Sequence, residues 1–118
     1  MEFPDDPNGD ALRRMEAHGD DLTRPRDIEF TVVFPNQNAA KKFAEHCSML
    51  GYAASIELTE AVADLPWDVV VIKHMVPSHN ALGTFEDSLQ RAALSLGGRN
   101  DGWVCLSQPV TPPSAPQG

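Results

Sequence analysis

Trp67-Asp68-Val69-Val70-Val71-Ile72-Lys73-His74-Met75 is the stretch that decides how this chain folds. Its apolar residues fall on both faces of a period of two, as expected of a strand inside a sheet rather than at its edge. The segment before it also reads as a strand, because Tyr52, Ala54, Ile56 and Leu58 alternate with Ala53, Ser55 and Glu57. Only an acidic loop around residues 59–66 separates the two. Strand therefore follows strand with no helix between them.

Outward from this pair, both flanks turn helical. On the amino-terminal side Ala40, Phe43, Ala44, Cys47 and Leu50 recur at three- and four-residue steps, with Lys41, Lys42 and Glu45 between them. Asn36 or Asn38 can cap this amphipathic helix, and Gly51 ends it. On the other side Pro77 and Ser78 open a helix whose stripe is Leu82, Phe85, Leu89, Ala92, Ala93 and Leu96. Further out lie two more strands. Ile28 to Phe34 alternates, with Ile28, Phe30, Val32 and Phe34 on the core face and Glu29, Thr31 and Val33 outside. After the turn residues Gly97-Gly98-Arg99-Asn100-Asp101-Gly102, Trp103-Val104-Cys105-Leu106 forms a short last strand. A weakly apolar opening helix, capped within Asp5-Asp6-Pro7-Asn8, marked by Ala11, Leu12 and Met15 and ended by Gly19, is expected to lie on the domain rather than build it.

Strand, helix, strand, strand, helix, strand is the split βαβ pattern of an α+β, ferredoxin-like domain. Right-handed crossovers put both main helices on one face of a four-stranded antiparallel sheet, with the first and third strands central. The expected core includes Phe30, Val32, Phe43, Ile56, Val71, Phe85, Leu89 and Trp103. One domain is expected over residues 1–106. Residues 107–118, with Pro, Ser and Gln and few bulky apolar groups, read as a flexible tail that folding does not need.

The 118 residues carry a formal net charge of −8. Such a surface repels phosphate, which disfavours direct nucleic-acid binding and favours a basic protein partner. The core-facing placement of Phe30 and Phe34 and the absence of an RNP pattern argue the same way. The amino terminus has no basic start or apolar run, and Val69 to Ile72 is far too short to span a bilayer. No membrane role is expected, and Cys47 and Cys105 read as reduced thiols of a cytoplasmic protein. His46 and Cys47 point about 100° apart on a helix, and no zinc spacing is present, so no metal or other cofactor is expected. Ser78-His79 reads as a helix cap and no phosphate-cradling glycine loop exists, so no catalytic residue is expected. The arginines of Arg24-Pro25-Arg26-Asp27 read as ordinary surface partners of Asp20 or Asp21.

Several marks taken together resemble one family. These are Gly19-Asp20-Asp21-Leu22, then Pro25-Arg26-Asp27-Ile28-Glu29-Phe30, then Ala40, Phe43 and Ala44, and finally Gly98-Arg99-Asn100-Asp101-Gly102-Trp103. Over residues 5–106 the chain resembles the regulator of ribonuclease E activity B family, small bacterial protein inhibitors of ribonuclease E. The resemblance implies a non-enzymatic protein that binds a ribonuclease, through a basic segment of it, and alters RNA degradation. Better-known members carry a long acidic tail, whereas no acid follows Asp101 here. Asp20, Asp21, Arg26, Asp101 and Trp103, which lie in the matching motifs, are the candidate contact or site-shaping residues. The expected state is a monomer or weak dimer. The competing reading is a ferredoxin-like domain that senses a small molecule or dimerises through its sheet.

Overall fold

The structure, a computed structural model, describes residues 4–59 and 63–105. The expected tail over residues 107–118, Leu106 and part of the acidic loop lie outside the described residues. The elements are α1 (Pro7–Ala17), β1 (Arg26–Phe34), α2 (Gln37–Met49), β2 (Ala53–Leu58), β3 (Trp67–Met75), α3 (His79–Leu94) and β4 (Arg99–Cys105). The strands form one sheet in the order β2-β3-β1-β4, with every pairing antiparallel. This is the ferredoxin-like α+β arrangement preceded by a helix, and β1 and β3 are its central pair.

Short polar side chains start the helices. Asp6 accepts a hydrogen bond from the Gly9 amide at 2.8 Å, Asn36 from Ala39 at 2.8 Å, and Ser78 from Ala81 at 3.1 Å. Glycines end them. The Gly98 amide reaches back to the Ala93 carbonyl at 3.0 Å and that of Gly97 to Leu94 at 3.1 Å, with Gly97 at φ +76°. The same pair of bonds closes α2 at Gly51 and α1 at Gly19.

The core lies between the sheet and its helices. Phe30, Val32, Phe43, Val71, Phe85 and Leu89 are buried, and Ile56 and Trp103 pack against them half-buried. Phe85 meets Phe30 edge-on with centroids 4.7 Å apart and Tyr52 at 5.2 Å, while Phe34 tilts against Phe43 at 4.9 Å. Each such side chain contributes about 1.5–3 kcal/mol by leaving water.

Three features differ from the sequence reading. The last strand begins at Arg99 rather than Trp103, so Arg99 to Gly102 are not a turn. Their turn-like composition serves a β-bulge: Val32 pairs with Asn100 and Phe30 with Trp103, so Asp101 and Gly102 together oppose Thr31. Gly102 takes the φ of +99° that this extra residue requires. Second, Val33 is buried although it lies on the outward face of β1; its lateral neighbours there are Asp68 and Arg99. Third, α1 does more than rest on the surface, because Leu12 is fully buried in the core cluster.

Candidate functional site

The α1–β1 junction is built around a buried ion pair. Arg26 enters β1 on its core side, and its Nη1 donates to Asp20 Oδ2 at 2.9 Å, with both residues only 3% exposed. Nη2 donates to the Asp21 carbonyl at 2.8 Å, and Nε and Nη2 both reach the Arg24 carbonyl at 3.3 Å. One guanidinium thus gathers the carbonyls of the loop that leads into the sheet. The expected surface pairing is corrected: Arg26 does pair with Asp20, but out of water, because the loop folds over the end of the sheet. Asp21 remains half-buried and accepts hydrogen bonds from the Thr23 hydroxyl at 2.6 Å and the Thr23 amide at 3.1 Å. These bonds hold its carboxyl below the usual carboxylate range, with help from Arg24 and Arg26.

Across the sheet, Trp103 ties β4 to α1. Its ring lies half-buried on the core side, and Nε1 donates to Asn8 Oδ1 at 2.8 Å. Asn8 Nδ2 in turn donates to Glu86 Oε1 at 2.7 Å, while Asn100 Nδ2 donates to Glu86 Oε2 at 2.8 Å. Gln90 Oε1 accepts from the Asn100 amide at 2.8 Å. The cleft here, about 350 Å³, is lined by Asp6, Asn8, Glu86, Asn100 and Gly102, and the side chains of Asn8 and Asn100 are both already bonded to Glu86. Asp101, in the bulge, is exposed and lies on the opposite face of the sheet, where desolvation pushes the Asp68 carboxyl above its ordinary pKa and the charge of Asp101 adds to that.

The candidate residues therefore occupy separate places. Asp20 and Arg26 shape the α1–β1 junction from within, Asp21 lies at its surface, Trp103 packs half-buried against the core and bonds to Asn8, and Asp101 belongs to the open face. The sequence reading left out Asn8, Glu86 and Asn100, whose link to Trp103 joins positions up to 95 apart in the chain. It also left out half-buried Asp68, whose Oδ1 is shielded from solvent with no hydrogen-bond partner among the described residues. Asp68 was legible as a strand acid, but the burial of that oxygen was not. Among the described residues no three His, Cys, Asp or Glu side chains are placed to hold a metal ion, and no helix is long and apolar enough to cross a membrane.

The family model for regulator of ribonuclease activity B matches residues 5–105, from the cap of α1 to the end of β4. The chain belongs to the regulator of ribonuclease activity B family. The match takes in the Arg26–Asp20 junction, the bulge and the Trp103–Asn8 link. No curated protein sequence matches the chain.

Proposed function

We propose that this protein is a non-enzymatic regulator that binds a ribonuclease, with ribonuclease E as the partner, and thereby modulates RNA degradation in the cytoplasm. The observation that carries the reading is the family match over residues 5–105. The charge pattern supports it: a net charge of −8 favours a basic protein segment over RNA as the direct ligand. No cofactor enters this function, and the working species is a monomer or weak dimer. Asp21, Asp101 and Trp103 supply contact surface, while Asp20 and Arg26 hold the junction that presents Asp21.

Recovery of the tagged full chain from a bacterial lysate, with and without nuclease treatment, tests the reading. The expected result is a ribonuclease retained in both samples. Strong RNA binding by the purified protein, together with no ribonuclease in the eluate, refutes it.

A further inference from the structure

The sheet face turned away from α2 and α3 combines apolar and acidic groups in a way the helical side does not. Register places Val104, Glu29, Ile72 and Ala53 in one row across the four strands, with Val70 beside it. Val104 is 63% exposed and Ile72 36%, so this row is bare to solvent. Carboxylates border it, with Asp27 towards one end and Glu57, Asp68 and Asp101 towards the other.

Positive charge is nearly excluded. The chain has nine Lys and Arg residues, yet only Arg99 stands at an outward strand position. His74, the other basic group there, already meets Asp27 at 2.8 Å. Lys73 faces the core side over the Tyr52 and Phe85 rings, and Lys41 and Lys42 lie on α2. Glu29, Glu57 and Asp101 form no ion pair or side-chain hydrogen bond with the described residues. Desolvation, with the charges of Asp101 and Glu57, pushes the Asp68 carboxyl above its ordinary pKa, although a hydrogen bond from Thr59 works the other way. The face is therefore a concentration of negative potential around an apolar strip.

We propose that this open sheet face docks a basic segment of a partner protein, whose Arg or Lys side chains meet Glu29, Glu57 and Asp101 and whose aliphatic side chains cover Val104, Ile72 and Ala53. This rests on the protein-binding reading above and adds where the partner sits and what chemistry it brings. A second copy of the chain fits poorly, since two such faces would oppose carboxylate to carboxylate. An RNA strand would bring its phosphates against the same charges.

Titration of the isotope-labelled full chain with a synthetic Arg/Leu peptide, followed by amide chemical shifts, tests the proposal. Shifts should cluster at residues 29, 31, 53, 72 and 104 and spare α2 and α3. Combining Glu29→Gln, Glu57→Gln and Asp101→Asn should weaken the peptide about tenfold, while Glu45→Gln with Asp87→Asn on the helical side should cost less than about twofold. The melting temperature should not fall in either variant, because these carboxylates support no described side-chain contact and two of them repel Asp68. Shifts confined to the helices, equal losses in both variants, or single-stranded RNA moving the same amides as strongly as the peptide would each overturn the proposal. Lysate recovery with the same variants separates the two claims. A ribonuclease held equally by wild type and face variant defeats the docking face alone. No ribonuclease, with the peptide still mapped to the face, defeats the ribonuclease reading alone.

Discussion

Replacing Arg26 by methionine tests the most consequential buried contact in the molecule. The substitution keeps an unbranched apolar stem but removes the guanidinium, so the Asp20 carboxylate stays 3% exposed without the cation at 2.9 Å. Breaking a buried pair from one side costs about 3–5 kcal/mol, because the remaining charge cannot return to water. The Asp21 and Arg24 carbonyls lose the same donor, which places the expected loss in the upper part of that range. Against a total stability of about 5–15 kcal/mol, this consumes a large share. With a urea dependence of about 1–3 kcal/mol per molar, the midpoint should fall by roughly 2 M. Urea titration followed by tryptophan fluorescence and far-ultraviolet circular dichroism measures it. The companion variant, Arg26→Met with Asp20→Asn, leaves no buried charge and should be more stable than Arg26→Met alone. A loss below about 1 kcal/mol for Arg26→Met, or a double variant no better than the single, refutes the argument that charge burial dominates this junction.

Leu89→Ala should cost about 2–5 kcal/mol through lost burial and a residual cavity, and an unchanged melting temperature would show that α3 does not pack on the sheet as described. Gly98→Ala should cost about 1–3 kcal/mol, because a β-carbon there would stand 2.3 Å from the ring of fully buried Phe34; a neutral result in a thermal melt would mean that the α3–β4 connection approaches Phe34 less closely. Asp68→Asn should raise the melting temperature at neutral pH. The folded pKa of Asp68 lies above its ordinary value, so the carboxyl favours folding only while protonated and opposes it once pH rises through that folded pKa. The gain should shrink as pH falls towards the ordinary carboxylate range, and a gain independent of pH would contradict desolvation as its cause.

Local pattern determined the architecture. The alternation of Ile28 to Phe34, the two-faced apolar run of Val69 to Ile72 and the stripe from Leu82 to Leu96 fix strand and helix type, since each period assigns side chains to faces before any partner is known. The helix ends were legible for the same reason, because a cap is a contact between near neighbours in the chain. Gly102 shows where local reading stopped. Asn, Asp and Gly suit a turn and a bulge equally, and only the register shift between the Phe30–Trp103 and Val32–Asn100 pairs selects the bulge. Burial was also a matter of tertiary structure. Arg26 and Asp20 look like surface residues until the junction folds over them, and Val33 looks outward until it is set between Asp68 and Arg99. The candidate surface followed the same rule. Sequence showed that acids outnumber bases, but their gathering on one sheet face depends on β1, β2, β3 and β4 lying side by side, which is a property of strand order. Charge and periodicity are written residue by residue, whereas the neighbours of a side chain across a sheet are set only when distant segments pair.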